Sequence, residues 1–354
     1  MRRIKYLDIL LILAGNRLSS RFLGFRRLGS LINCLFRIMI LAANAIVTCR
    51  LLAEIVATGA TPFNAAYIIC SIFQILTMIL YAVRRPRVKY LLRKILIGDA
   101  YRSVIEKACL RWLLFALTSI TVHIISNSLQ MSLVLSDPGN LLFAIIVALP
   151  IILNQFLVLY PIFYMIIMKL LTNYELHHLD SIKTLVKNDS RDVNRILDKM
   201  ADARDTKVEF EQLFNFIPFI TFGTLFVTIP GVILSAMKDM SLGRDMSYVI
   251  QEVVAFASVH IAIFIVNFFL VQSVSMSKEI VNQNIAELIR LVQRRNIRNL
   301  NTTGYQSVIE ELRIDQQFSF TGWYLFTINR FILLGFLSAI ISFSVLLIQL
   351  GNSQ

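Results

Sequence analysis

The sequence predicts an all-α membrane protein with seven transmembrane helices, a cytoplasmic amino terminus and an extracellular carboxy terminus. Three observations support this fold class: an apolar composition, a series of long runs without charge, and a one-sided distribution of Lys and Arg. Of the 354 residues, 56% are hydrophobic and 16% are charged, and the mean hydropathy is +0.68. Because soluble domains contain about 25% charged residues, this chain has too little polar surface to remain in water.

Charge-free runs that are long enough to cross a bilayer occur six times along the chain. A hydrocarbon core about 30 Å thick is spanned by roughly 20 apolar residues in helical form. The six runs are Ile55–Val83, Trp112–Ser136, Pro138–Met168, Gln212–Met237, Val253–Ser277 and Phe331–Gln354. A seventh candidate covers Leu31–Ala57, where Arg37 can snorkel toward one face and Arg50 can pair with Glu54 one turn later.

Basic residues fall on alternate connections between the predicted spans. The segments 1–30, 84–111, 172–212 and 275–326 hold seven, nine, seven and six Lys or Arg residues. The intervening segments 58–62, 136–140, 237–248 and 351–354 hold zero, zero, two and zero. Because loops rich in Lys and Arg stay in the cytosol, the amino terminus is predicted inside and the carboxy terminus outside. The net charge of +13 is thereby explained without a nucleic-acid partner.

The long cytoplasmic connections carry apolar residues at helical spacing, so we expect the spans to continue into the cytosol as amphipathic helices that pack together. A break between two of these helices is expected at Asn301–Gly304. The apolar stripes are Leu179, Ile182 and Val186; Val193, Ile196, Leu197 and Met200; Ile285, Leu288, Ile289 and Val292; and Val308, Ile309 and Leu312.

The sequence contains none of the common catalytic or nucleotide-binding motifs. Because GxxxxGK[ST], HExxH, GxSxG and GxGxxG patterns are absent, we predict that the protein is not an enzyme and uses no cofactor. The group Glu175, His177, His178 and Asp180 is interpreted as a solvated helix surface and not as a metal site. The reason is that adjacent histidines point to different faces of a helix.

Polar side chains inside the spans predict a ligand cavity that opens outward. His123, Asn127 and Gln130 lie at i, i+4 and i+7 of one helix face, and polar groups in lipid usually face a bundle interior or a watery cavity. Hydrogen bonding between helices explains any single residue of this kind equally well. Because several spans place such groups at similar depth, we assign six residues to ligand binding: Tyr67, Gln74, His123, Asn127, Gln130 and His260.

The last span carries a stripe of small or polar residues broken by one leucine. The stripe follows the 3.6-residue period of a helix and consists of Gly335, Ser338, Ser342, Leu346 and Gln349. A tight helix–helix seam is one interpretation, since small residues let backbones approach closely. A water-filled path that apolar side chains close by dewetting is the other.

The end of the chain resembles the final segment of the insect gustatory receptors. That family is marked by Thr-Tyr, five apolar residues and Gln-Phe, and here the register reads Ser342-Phe343, then 344–348, then Gln349-Leu350, preceded by Gly322–Arg330. Only the glutamine is identical. Rhodopsin-like receptors have the inverted orientation and carry Asp-Arg-Tyr and Asn-Pro-x-x-Tyr patterns, which this chain lacks.

The resemblance implies a ligand-gated, non-selective cation channel in the plasma membrane, opened by a small-molecule tastant. It implies a homotetramer or heterotetramer with related receptor subunits, in which the last helix of each subunit lines one central pore. The pore and gate residues would be Ser342, Val345, Leu346, Gln349 and Leu350.

The implied organisation has five parts, in chain order. They are a cytoplasmic segment at 1–30, a six-helix ligand-binding membrane domain at 31–274 with a cytoplasmic extension at 172–212, a cytoplasmic helical anchor at 275–326, the pore-lining seventh helix at 327–350 and an extracellular tail at 351–354. The anchor is expected to join the subunits through stripe residues such as Ile285 and Leu288.

Three other functions remain open at this point. They are an odorant-receptor-type channel subunit, a secondary transporter of small solutes, and a receptor that signals through partners without conducting. An odd number of spans without an internal repeat argues against a transporter.

Overall fold

In the computed structural model, the described residues are almost entirely helical. They comprise 62–96, 102–134, 141–187, 193–241, 243, 246–299 and 302–352, with isolated helical positions between 42 and 56. The helices are α1 (Pro62–Ile95), α2 (Arg102–Val134), α3 (Leu141–Lys187), α4 (Val193–Phe214), α5 (Phe216–Ser241), α6 (Met246–Asn299), α7 (Thr302–Gln317) and α8 (Arg330–Asn352). Two short antiparallel strands, β1 (Thr321–Gly322) and β2 (Phe326–Thr327), separate α7 from α8.

Two stretches of the described chain are long and apolar enough to cross a membrane, Val193–Leu234 and His260–Arg294. A shorter apolar helix covers Arg330–Leu346. Each of the six charge-free runs overlaps one of the helices α1, α2, α3, α5, α6 and α8. Segment 1–30 and most of the candidate span Leu31–Ala57 lie outside the described residues, so seven spans and their orientation stay predictions.

The helices α3 and α6 are much longer than a bilayer is thick. They contain 47 and 54 residues, which at 1.5 Å per residue gives lengths of about 70 and 80 Å. Both helices therefore extend well past an apolar layer of about 30 Å, as the stripes in the connections predicted. Every residue from Val158 to Met168 is buried, because α3 is the central helix and packs against α2 and α6.

The apolar stripes of the cytoplasmic connections meet in one core. Residues from α3, α4, α6 and α7 form this core. Among them are Val186, Ile196 and Val308, which are fully buried. Ile285 and Leu288 are also 0% exposed within a single chain. These two residues therefore do not lie on the exposed surface of the anchor, and its role in joining subunits stays a prediction. Their side chains are used to fold one subunit, and a charged replacement there would disrupt the bundle before it could report on subunit contact.

Candidate functional site

The last helix, α8, packs one face against the subunit and leaves the opposite face exposed. Ile340 and Ser344 are buried at 4% and 6% exposure, on the side where α8 contacts α5. The stripe predicted from the sequence lies on the opposite side of the helix, and its five members are all exposed: Gly335, Ser338, Ser342, Leu346 and Gln349. Val345 is exposed beside them, whereas the side chain of Leu350 lies outside the described part of the chain.

Aromatic side chains fix the rotation of α8 against α5. The rings of Phe222 and Phe336 meet edge to face with centroids 5.0 Å apart. Farther along, the rings of Phe226 and Phe343 stack at 5.5 Å. Aromatic pairs contribute about 0.5–1.5 kcal/mol each beyond the area they bury. Two such pairs on one face of α8 hold the helix so that its small and polar stripe points away from the subunit.

A tight hairpin leads directly into α8, so the helix begins at Arg330 and not at 327 as expected. Thr327 and Phe326 pair with Thr321 and Gly322 across the hairpin, which keeps these residues out of the helix. The Leu325 amide donates to the Gly322 carbonyl at 2.9 Å and closes the turn.

The hairpin turn adopts a backbone conformation that its side chains disfavour. Trp323 and Tyr324 have φ angles of 47° and 60°, where bulky residues are rarely found. Tertiary contacts compensate, because the Trp323 amide donates to the Asn215 carbonyl at 2.8 Å and its ring meets Phe219 at 5.1 Å. The turn is therefore anchored at the junction of α4 and α5.

A buried carboxylate ties the hairpin to α4. Glu211 Oε1 accepts hydrogen bonds from the Thr321 amide, at 2.8 Å, and from the Thr321 hydroxyl. Glu211 is 5% exposed, and a polar group buried this deeply is costly unless it is hydrogen-bonded. The segment that precedes α8 is thus held by side-chain and backbone contacts to both α4 and the start of α5.

One helical turn before Glu211, a buried lysine joins three helices. Lys207 Nζ lies 2.5 Å from Asp315 Oδ1 of α7 and 3.5 Å from Glu175 Oε1 of α3. All three side chains are largely buried, with Lys207 at 4% exposure. The ammonium also lies 5.4 Å from the centre of the Phe318 ring. We call Lys207, Glu175 and Asp315 the ionic cluster.

The ionic cluster corrects the interpretation of Glu175 as part of a solvated surface. Burial raises the pKa of the Glu175 carboxyl to about 7, although the Lys207 cation opposes this shift. His177 and Asp180 are exposed as expected, whereas His178 is half-buried beside Tyr174. A cavity of about 20 Å³ adjoins the cluster, which is room for about one water molecule and far too little for an organic ligand.

Comparisons with known proteins find a match in structure only. No family model and no curated protein matches the chain. The insect olfactory receptor OR5 from Machilis hrabei aligns with a TM-score of 0.68 over 98% of this chain and 97% of that chain, at 13% identity. The same receptor in complex with eugenol aligns equally well, at 14% identity.

The chain has the fold of an insect olfactory receptor. This likeness confirms the fold expected from the sequence, and it does not distinguish a gustatory from an odorant type. The olfactory-receptor fold extends over nearly the whole chain, including the helical bundle around the ionic cluster and the last helix.

Within the olfactory-receptor fold, the six predicted ligand residues lie on three helices. Tyr67 and Gln74 are on α1, and His123, Asn127 and Gln130 are on α2; the side chains of these five lie outside the described part. His260 is half-buried on α6, the helix against which α2 packs. The assignment of these residues to a ligand pocket therefore stays a prediction.

Other polar residues of the spans serve contacts inside the bundle. The Thr221 hydroxyl of α5 donates to Asn267 Oδ1 of α6 at 2.7 Å, and both residues are buried. Thr224 and Thr228 donate to carbonyls of their own helix, at 2.8 and 2.7 Å. For these residues the interhelical and intrahelical hydrogen bonds are sufficient to explain a polar group in an apolar environment.

The sequence interpretation missed the ionic cluster and the Glu211 contact. A signal was present, because α4 carries an apolar stripe at Ala203, Phe210 and Phe214, which the structure buries, and Lys207 and Glu211 fall on that same face. Charged residues are rarely buried without a partner. Their placement in the stripe therefore indicates that partners lie on another helix.

Proposed function

We propose that the protein is a chemosensory receptor that acts as a ligand-gated, non-selective cation channel of the plasma membrane, opened by a small-molecule tastant. The observation that carries this proposal is the exposed small and polar face of α8 within an olfactory-receptor fold. A structure of that fold in complex with eugenol supports a small organic molecule as the ligand.

The pore in this proposal forms where four subunits meet, as a homotetramer or a heterotetramer with related receptors. The exposed faces of four α8 helices around one axis would place Ser342, Leu346 and Gln349 along a water-filled path. Gln349 and Leu350 form the gate, with Leu346 and Val345 as the neighbouring constriction. Carboxamides present dipoles to a passing cation without a fixed charge, and segment 331–354 contains no acidic residue. Weak discrimination among monovalent cations follows.

A cysteine scan of α8 tests the pore assignment. We expect that a water-soluble thiol reagent, applied with agonist to whole cells, changes the current when cysteine replaces Ser342, Leu346 or Gln349. Ile340→Cys is the matched control, because Ile340 lies in the same helix at 4% exposure against the subunit. Modification that affects Ile340→Cys and spares the three stripe positions would contradict the assignment.

The ligand pocket is proposed between α1, α2 and α6, with Tyr67, Gln74, His123, Asn127, Gln130 and His260 as its polar groups. We expect His123→Leu and Asn127→Leu to raise the half-maximal agonist concentration about tenfold each, the effect of losing roughly 1.4 kcal/mol of binding. Thr121→Val is the control on the same helix, since Thr121 is exposed and its hydroxyl bonds to its own helix at 2.9 Å. Unchanged dose–response curves at normal surface expression would contradict the assignment of these residues to a ligand pocket.

The alternative functions differ from the channel in the current that they produce. An odorant-type subunit is supported equally by the olfactory-receptor fold and responds to volatile molecules instead of tastants. A secondary transporter couples current to movement of a solute, and a signalling receptor conducts nothing by itself. Whole-cell recordings from a non-native cell, with sugars, bitter compounds and volatile molecules applied in turn, distinguish the proposed channel from the three alternatives. The proposed channel conducts without a G protein and without coupling to solute movement.

A further inference from the structure

The cytoplasmic end of α1 presents a basic face that no described part of the chain covers. The run Arg84–Lys94 contains six basic residues, and no acidic residue occurs from 84 to 98. It continues the same helix that carries the charge-free run Ile55–Val83. The position of this run, immediately below a predicted span, places it at the cytoplasmic surface of the membrane.

The two ends of this run are used inside the subunit. Arg84 donates to the Leu213 carbonyl at 3.0 Å, and its guanidinium lies 5.2 Å from the centre of the Phe216 ring. Lys94 forms an ion pair with Asp202 at 2.6 Å. These contacts fix the rotation of α1, so the faces between them are also fixed.

Between those ends, apolar and basic residues occupy opposite sides of α1. Val88, Leu91, Leu92 and Ile95 are buried at 0–3% exposure. Arg87, Lys89 and Arg93 are exposed on the other side and form no ion pair or hydrogen bond with the described residues. Tyr90 lies among them at 62% exposure. We call Arg87, Lys89, Tyr90 and Arg93 the basic face.

We propose that the basic face binds the anionic headgroups of cytoplasmic-leaflet lipids, such as phosphatidylserine. Counted from Arg84 at 1.5 Å per residue, Arg87, Lys89 and Arg93 lie about 5, 8 and 14 Å farther along the helix. That range covers the headgroup layer and about one Debye length of the solution below it. The tyrosine fits the same place, since its ring is amphipathic and favours the membrane interface.

Binding to anionic lipid explains the basic face better than contact of its side chains with water alone. Each Lys or Arg close to an anionic membrane surface strengthens binding by about fivefold, and three on the exposed half of one helix add up to about 100-fold. The buried side of the helix prevents it from rotating to hide these charges. This inference rests on the membrane placement in the proposed function, but not on conduction or on an agonist.

The test compares lipids retained by the purified full-length protein. The protein is placed in mixed micelles of phosphatidylserine and phosphatidylcholine, and the lipids that stay bound are counted by native mass spectrometry. We expect the unmodified chain to prefer phosphatidylserine and the variant R87Q/K89Q/R93Q to lose that preference by about 100-fold. The charge-preserving variant R87K/K89R/R93K should keep it.

The matched control removes the same charge elsewhere on the cytoplasmic side. R290Q/R294Q/R313Q changes three exposed basic residues of α6 and α7 and should leave the preference intact. The proposal is overturned if R87Q/K89Q/R93Q keeps its preference for phosphatidylserine, or if R290Q/R294Q/R313Q loses as much of it.

Two other results would assign the basic face to a different partner. If inorganic phosphate at the same concentration removes the preference, the face binds a free anion, and the proposal is also overturned. Loss of subunit association in R87Q/K89Q/R93Q with unchanged lipid retention would assign the face to a neighbouring subunit. Because no current is measured, failure of the channel proposal is seen separately.

Discussion

Replacement of Lys207 by methionine is expected to destabilise the folded subunit by about 3–5 kcal/mol. Methionine fills a similar volume but removes the cation that lies between Asp315 and Glu175 at 2.5 and 3.5 Å. The two carboxyl groups would then remain buried beside each other without a compensating charge, which is far more costly than losing an exposed ion pair. Three helices meet at this point, so the loss affects the contact of α3, α4 and α7 together.

A control for this substitution lies one turn away on the same helix. Arg204 also pairs with an acidic residue of α7, Glu311, but both side chains are about one-third exposed, at 35% and 36%. Arg204→Met should therefore cost at most about 1 kcal/mol. Thermal unfolding of the purified variants in detergent measures the difference, and similar unfolding temperatures for Lys207→Met and Arg204→Met would refute the importance of burial.

The pH dependence of the ionic cluster has a definite sign. The pKa of Glu175 is raised to about 7 in the folded chain, so the folded state binds a proton that the unfolded state releases near its ordinary value of 4.5. The stability from this protonated carboxyl is fully present below about pH 4.5 and is lost as the pH rises through 7. In Lys207→Met the cation that favours ionisation is gone. The destabilisation should therefore be larger at pH 8 than at pH 5.5.

The helices were predictable because their signals are local. Apolar runs identify helices α1, α2, α3, α5, α6 and α8, and the stripe Leu179, Ile182 and Val186 is buried as its spacing requires. A residue spacing near 3.6 specifies which face must find a partner. It does not specify which element supplies that partner. This is why Ile285 and Leu288 were expected between subunits but are buried within one chain.

The ionic cluster and the hairpin could not be predicted from local signals. Lys207 and Asp315 are 108 residues apart in sequence, and Glu211 and Thr321 are 110 apart. Turns in which both central residues have positive φ usually contain Gly, Asn or Asp at those positions, whereas this one contains Trp323 and Tyr324. Tertiary contacts override the local preference of these two residues, and the sequence pattern alone favoured a helix starting at 327.

Separating Glu211 from Thr321 is expected to weaken both the subunit and its response. In Glu211→Leu the amide and hydroxyl of Thr321 lose their acceptor, at an expected cost of about 1–3 kcal/mol. Thr321→Val removes the hydroxyl but keeps the amide, so its cost should be smaller. In the double variant the two changes should not add, because each removes part of the same interaction. The coupling energy is calculated from the free energies of unfolding of the unmodified chain, the two single variants and the double variant, all measured in detergent.

The functional consequence of that contact follows from where the hairpin lies. Glu211 fixes Thr321, and the Trp323 amide reaches Asn215 at 2.8 Å, so the chain entering α8 is held to α4 and α5. A displacement of those helices by a ligand would reach α8 through this hairpin and through the Phe222–Phe336 pair.

We therefore expect Glu211→Leu to lower the maximal agonist-evoked current several-fold at unchanged surface expression. Phe336→Leu, which weakens the second connection while leaving the hairpin intact, should add to that loss. A full current in Glu211→Leu, together with a coupling energy below about 0.3 kcal/mol, would show that the hairpin does not transmit movement to α8.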